Sequence, residues 1–440
     1  MADTADATSD ATRDATRTEA PPTCQRRLDS GDRAVLGAIF LVALIVRGGL
    51  LAVWPDPFAN DIDQYGRIAE TIRSDGFYGR PLGDRVRPTA FRPPLYPWIL
   101  AAIYVDDAAE RSLRIGALHA ILGAIATAAT FSFARRVCSR GPSIVAAGLV
   151  LIDPILLNQT PLLMTETLAT ALMALALWQL GSGQELCWWR ATLAGILLAL
   201  AALCRPVFLV ALFAVFLIIL CRRQSQRRWL AATALTLAST GVLAPWIARN
   251  WIVLHKPIVA TTHGGFTLLL GNNPEFYEYL DTRAPGEVWD ARQFNDRVFE
   301  EFRQLGFDEV AFDRWAYQQA IQYMRAQPTA CLQATAVRVG RIWGLLPHAT
   351  SNSESTARRI ARYLVAVWYA AVFVLAGVGL IVSRAKLASA PWVWMLAVCL
   401  SFTLLHAFYW SNMRMRAPLA PAISVAAAIG LASVLRKRGE

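Results

Sequence analysis

Asp61-Ile62-Asp63-Gln64-Tyr65 and, further on, Phe91-Arg92-Pro93-Pro94-Leu95-Tyr96-Pro97-Trp98 form a polar island between two apolar runs, 34–54 and 112–134. Each flanking run has about 20 residues, the length at which a helix crosses the hydrocarbon core of a bilayer. With both flanks in the membrane, carboxylates and a guanidinium lie at its surface, where poorly solvated charge is costly. The island is therefore where chemistry is expected.

Apolar runs recur outward from there at 142–158, 162–180, 191–204, 206–221, 229–247, 360–383, 389–409 and 417–435. The fold class expected is an all-α polytopic membrane protein of about ten transmembrane helices. Composition agrees: 55% hydrophobic residues, 17% charged residues and a mean hydropathy of +0.37 exclude an ordinary soluble domain. The net charge of +11 would suggest nucleic acid in a soluble protein. Here most Arg falls between apolar runs, so topology and anionic membrane lipids account for it, with no nucleic acid. Seven Cys and five His show no ligand spacing and no disulfide framework.

Basic residues set the orientation. With the N-terminus cytoplasmic, the inner loops carry Arg135, Arg136 and Arg140, then Arg190, then Arg222, Arg223, Arg227 and Arg228, then Arg384 and Lys386, and finally Arg436, Lys437 and Arg438. This requires the runs around Arg205-Pro206 to be two spans, since merging them moves the later clusters outside. Arg358, Arg359 and Arg362 fall outside, in a loop long enough to escape the rule. The expected organisation is a disordered cytoplasmic tail, 1–33, built on Asp-Ala-Thr repeats, with no removable signal peptide. A transmembrane catalytic module follows, 34–247, with a first outer loop at 55–111. Then come an extracytoplasmic helical subdomain, 248–358, the C-terminal spans, 359–435, and a cytoplasmic tail, 436–440.

In the first outer loop, Tyr65, Ile68, Ala69 and Ile72 at helical spacing predict a short helix with Asp61 as N-cap. Leu95 to Val105 is too short to span and predicts an interfacial or re-entrant helix. In the second region, helices are predicted over 288–304, 308–326 and 329–345. Gly264-Gly265 and Gly271-Asn272-Asn273-Pro274 mark turns before them.

Asp61 and Asp63 each admit two readings, a general base or a helix cap and a solvated acid. Arg92, its backbone held by the prolines that follow, either holds a phosphate or snorkels at a helix entrance. Glu166, at the outer end of the fourth span, needs a partner if buried, and Arg205 is the structural candidate. Arg205, Arg249, Arg414 and Arg416 also fall at outer span ends. Four separate segments thus bring Arg to the face that the charge rule disfavours, which points to a bound anion. Trp residues at span ends read as interfacial anchors.

Taken in order, Asp61 with Tyr65, Arg92-Pro93-Pro94-Leu95-Tyr96-Pro97, Met164-Thr165-Glu166-Thr167-Leu168, Arg205-Pro206, Pro245-Trp246-Ile247-Ala248-Arg249-Asn250 and Gly271-Asn272-Asn273-Pro274 resemble the bacterial GT-C integral membrane glycosyltransferases. The group most resembled is the protein O-mannosyltransferase-like one (glycosyltransferase family 39 type) that includes the lipid A aminoarabinose transferase. The resemblance implies inverting sugar transfer from a polyprenyl-phosphate donor to a glycan, lipid or protein acceptor, outside the bacterial inner membrane. It makes Asp61 the base on the acceptor hydroxyl and Arg92 a ligand of the donor phosphate, with Arg205, Arg249, Arg414 and Arg416 as further cations. Tyr65, Tyr96, Glu166 and Asn272 become substrate contacts. Many relatives carry an acid directly after the catalytic Asp. Here Ile62 stands there and Asp63 follows, which leaves open a divalent metal and a share of the work for Asp63. The alternatives are a lipid-linked sugar flippase, which would place ionisable groups near the midplane, and a glycan ligase or polymerase.

Overall fold

The structure, a computed structural model, describes residues 28–82, 85–181, 186–222, 227–283, 287–348 and 354–437. The tail expected to be disordered lies outside them up to residue 27, as do Arg223 and Arg438. Helix α1 (Ser30–Val53) opens with a capping box in which the Asp29 and Asp32 carboxylates each accept the other's backbone N–H. Next come α2 (Tyr65–Asp75), an antiparallel hairpin of β1 (Gly79–Leu82) and β2 (Arg85–Pro88), α3 (Leu95–Ala102) and α4 (Ala108–Ala134). The chain continues through α5 (Arg140–Leu151), α6 (Pro154–Gln159), α7 (Glu166–Leu180), α8 (Trp188–Ala202), α9 (Val207–Cys221) and α10 (Arg228–Leu254). Then follow α11 (Gly264–Gly271), α12 (Pro274–Thr282), α13 (Arg292–Gln304), α14 (Glu309–Ala326) and α15 (Pro328–Ile342). It closes with α16 (Thr356–Val382), α17 (Trp392–Phe408), a 3₁₀ segment (Met413–Leu419) and α18 (Ala420–Lys437).

All ten apolar runs are helical. Among the described residues, five helices are long and apolar enough to cross a membrane: Ser30–Val53, Ala108–Ala134, Arg228–Leu254, Thr356–Val382 and the continuous Met413–Arg436. Five apolar helices are shorter, namely α5, α7, α8, α9 and α17. Leu203, Cys204, Arg205 and Pro206 separate α8 from α9, as the charge argument requires. Helix α7 is the axis of the bundle, with every side chain except Leu175 and Trp178 buried. It packs on α4 and α8, while α1 lies on α4 and α16 lies on α18.

Several local expectations are corrected. The run 142–158 breaks into α5 and α6 because Asp153 caps a new helix through the Leu156 N–H, with Pro154 at its first position. The N-cap of α2 is Gln64, in the left-handed region, and not Asp61. Gly264-Gly265 begin a helix, α11, and the Asn272-Asn273 turn separates it from α12, so two helices precede the three predicted. The hairpin was not anticipated: its two strands are four residues each, and β2 is fully exposed, so no apolar alternation marks it.

Helices α16 and α18 meet backbone to backbone. A Cβ on Gly430 would stand 2.0 Å from the Leu375 carbonyl oxygen, and one on Gly379 would stand 2.1 Å from that of Ala426. Gly430→Val is therefore expected to destabilise the detergent-solubilised protein by about 1–3 kcal/mol. Thermal unfolding measures this, and a variant that melts with the wild type would contradict the packing.

Candidate functional site

Helices α7, α8 and α9 have 15 residues each, about 22 Å at 1.5 Å per residue. That falls short of the ~30 Å hydrocarbon thickness. The start of α7, the α8–α9 corner, the first loop and the 3₁₀ segment meet at a cluster of ion pairs.

Glu166, the first residue of α7, is buried, with its side chain 1% exposed. Its Oε1 lies 2.8 Å from Arg205 Nη1 and 3.0 Å from Arg414 Nε. Arg205 Nη1 also donates to Thr165 Oγ1, at 3.2 Å. Two guanidinium arms have only thioether sulfur as acceptor: Arg205 Nη2 faces Met415 Sδ and Arg414 Nη1 faces Met164 Sδ. Sulfur is a weak acceptor, so these N–H groups are poorly satisfied.

Arg92 closes the other side. Its Nη2 donates to Asp63 Oδ1 at 2.7 Å and its Nε to the Asp63 carbonyl at 2.9 Å, while Arg414 Nη2 approaches Asp63 Oδ2 at 3.9 Å. Three guanidiniums thus face two carboxylates, leaving one net positive charge. The Arg92 guanidinium lies over Phe91 and near the Tyr65 ring, and burial pushes the Tyr65 phenol up to about 12.

Asp61 stands apart from this ion chain. Its Oδ2 accepts the Arg67 backbone N–H at 2.9 Å, and its carbonyl accepts that of Gln64. Its Oδ1 is buried with no hydrogen-bond partner, so the capping reading and the functional one apply to different oxygens. Gly66 makes this approach possible, because a Cβ there would stand 2.9 Å from Leu163 Cδ2 and 3.1 Å from Asp61 Oδ2. Asp61 also lines a pocket of about 590 Å³ between the first loop, α2, α3 and the start of α4. Phe58, Tyr104, Leu100 and Ile103 form apolar walls, with Glu70, Arg67 and Arg111 as polar groups.

The remaining sequence candidates lie outside this cluster. Arg249 donates to the Tyr78 and Thr89 carbonyls, fastening α10 to the first loop. Arg416 donates to the Ile342 and Gly344 carbonyls and covers the Tyr369 ring. Asn272 donates to the Leu268 and Phe408 carbonyls and accepts the Tyr277 hydroxyl. The Tyr96 hydroxyl meets His119 Nε2 at 2.8 Å, and His119 Nδ1 meets the Thr160 carbonyl.

Residues that sequence reasoning missed hold the segment carrying Arg92. Glu309, at the start of α14, accepts from Thr89 Oγ1 at 2.5 Å and from the Ala90 N–H at 2.6 Å, with Arg80 Nη2 at 4.0 Å. Thr262 N–H donates to the Ala90 carbonyl, and the Thr261 hydroxyl donates to that of Phe91. Arg80 covers the face of Phe91 at 3.9 Å, and the His263 ring packs against the same side chain. Burial beside Arg92 and Arg80 holds the His263 imidazole well below its usual range. Glu309 lies more than 200 residues from its partners, and no local pattern marks it.

Residues 91–251 match the family model for dolichyl-phosphate-mannose-protein mannosyltransferase. That segment contains Arg92, Glu166, Arg205 and Arg249, but not Asp61, Asp63 or Arg414. Among solved structures, the oligosaccharyltransferase of Archaeoglobus fulgidus tethered to an acceptor peptide with an NVT sequon superposes with a TM-score of 0.55 at 15% identity, over 92% of this chain and 50% of that one. The oligosaccharyltransferase AglB of the same organism, in complex with an inhibitory peptide and a dolichol-phosphate, gives 0.54 at 16%, over 93% and 51%. The chain therefore spans about half the length of these enzymes. ArnT from Cupriavidus metallidurans bound to undecaprenyl phosphate gives 0.39 at 13%, over 92% and 78%, too loose a superposition to argue from. No curated protein matches the sequence. The chain has the fold of the polytopic GT-C membrane glycosyltransferases, as its motifs lead one to expect.

Removing one partner of a buried ion pair leaves the other uncompensated, at about 3–5 kcal/mol. Glu166→Ala is expected to lose that much stability. Glu166→Leu combined with Arg205→Met should lose less than the sum of the two single changes. Thermal unfolding in detergent checks both, and additive losses would mean that the two side chains are not paired.

Proposed function

We propose that the protein is an inverting glycosyltransferase that moves a sugar from a polyprenyl-phosphate-linked donor to an acceptor hydroxyl on the extracytoplasmic side of a bacterial inner membrane. The observation that carries this is the buried Oδ1 of Asp61, without a hydrogen-bond partner among the described residues, two residues from an ion cluster with a net positive charge. In the reaction, Asp61 Oδ1 takes the acceptor proton as the acceptor oxygen bonds to the anomeric carbon. The bond from that carbon to the phosphate oxygen breaks, and its electron pair stays on the phosphate. Arg92, Arg205 and Arg414 face the charge that develops, and the N–H groups now on methionine sulfur gain a far better acceptor in a phosphate oxygen.

The pocket lined by Asp61 suits the acceptor, with Phe58 and Tyr104 offering ring faces to a saccharide. Arg249, Arg416, Asn272 and Tyr96, engaged with backbone or His119, shape the walls of the site in this reading. Sidedness follows from the opposite end of the bundle, where Arg135 and Arg140 pair with Asp32, and where Arg227, Arg228, Arg384 and Arg436 lie. The organisation into a transmembrane catalytic module, an extracytoplasmic helical subdomain and C-terminal spans belongs to the same reading.

A resident metal does not fit the donor set. Among the described residues no three His, Cys, Asp or Glu are grouped to hold an ion. Asp63 and Glu166 are engaged by guanidiniums, so no step is routed through a metal.

Asp61→Asn is expected to lower transfer by at least about 10²-fold while membrane insertion and the circular dichroism spectrum persist. Turnover near wild type would overturn the assignment. Arg92→Ala should cost about 2 kcal/mol of donor binding, read as a raised donor KM, and an unchanged KM would make Arg92 structural. Mass spectrometry of the product separates addition of one sugar from transfer of a preassembled block.

A further inference from the structure

Asp63 and Glu166 both face Arg414, but they are held differently. Glu166 is sealed in the bundle at 1% side-chain exposure, whereas Asp63 is 20% exposed and lies in the turn before Gln64. Arg92 also makes two separate bonds to Asp63, one to the carboxylate and one to the main-chain carbonyl. These contacts hold the Asp63 carboxylate beside Arg92 and Arg414. Asp63 Oδ1 and Oδ2 point at different guanidiniums, Arg92 and Arg414, as two oxygens of a phosphate would.

The reaction changes the charge of the group bound there. A polyprenyl-phosphate sugar is a phosphodiester with one negative charge, which matches the one net positive charge of the cluster. After transfer the phosphate is a monoester, carrying about −1.5 to −2 near neutrality. With Asp63 retained, that extra charge is uncompensated. Without Asp63, the cluster would hold the product better than the donor.

We propose that Asp63 is an internal counter-anion for the donor phosphate. It offsets part of the Arg92 and Arg414 charge, stays in place when the phosphodiester binds, and repels the second charge of the monoester left after transfer, so that the site discriminates against its own product. The inference rests on the polyprenyl-phosphate reading above. It makes Asp63 a residue that sets donor-over-product selectivity, distinct from the base Asp61.

The test measures binding of two probes to the full-length protein in detergent, a short-chain polyprenyl phosphate and its methyl diester. The wild type is expected to bind the diester at least as tightly as the monoester. Asp63→Asn should raise monoester affinity by about tenfold or more and leave diester affinity within a few-fold. Asp63→Glu, which keeps the charge, should keep the wild-type ratio. Weaker binding of both probes by Asp63→Asn would show that Asp63 only props Arg92 and would overturn the proposal. A wild type that favours the monoester tenfold would also overturn it, without need of any variant. A wild type that binds neither probe removes the donor reading itself. A wild type that binds both, with a ratio unmoved in Asp63→Asn, removes only the counter-anion role.

Discussion

The chain of alternating charges from Arg92 through Asp63, Arg414 and Glu166 to Arg205 is the constraint on which the site end of the bundle depends. Its members come from the segment before α3, the first loop, the 3₁₀ segment, the start of α7 and the α8–α9 corner. None can leave without stranding a neighbour in a medium that solvates charge poorly. Five pieces of chain far apart in sequence are thereby fixed relative to one another, which is the rigidity a transfer site needs. Burying helix ends exposes backbone groups that need polar surroundings, and the short α7, α8 and α9 all end at this face.

A second layer holds the first in place. The segment 89–92 is gripped by Glu309, Thr261 and Thr262 from the region after α10, and by Arg249 from α10 itself. Phe91 is wedged between Arg80 and His263, and Pro93-Pro94 restrict the backbone beyond. The direction of the Arg92 guanidinium is thus decided by contacts made from the far side of the molecule. Helices α11–α15 are joined to the site through this segment.

Arg92, Glu166, Arg205 and Arg414 were legible because charge in an otherwise apolar context must be satisfied or used, and all four came together. Arg249, Arg416 and Asn272 gave the same signal and lie elsewhere, bonded to carbonyls. Sequence does not tell these apart, because which carbonyls lack a partner depends on where helices stop and what packs over the stop. Asp61 is the instructive case. The cap and the base were weighed as rivals, yet one carboxylate oxygen bonds the Arg67 amide and the other is bare. Glu309, Arg80 and His119 carried no local mark, since each acts on a strand or turn brought in by tertiary packing.

Local hydrophobicity decided the order of the apolar helices, because an apolar run must bury its backbone bonds wherever it lies. The break at Arg205-Pro206 was equally local, for proline and charge both disfavour a continuous apolar helix there. Tertiary structure alone decided that Asp63 faces Arg92 and Arg414 while Asp61 does not, though the two acids stand two residues apart. The left-handed turn at Gln64 and the close approach of Gly66 to Leu163 send their side chains to different surroundings. Such a divergence is set by packing across the bundle and has no counterpart in the spacing of residues along the chain.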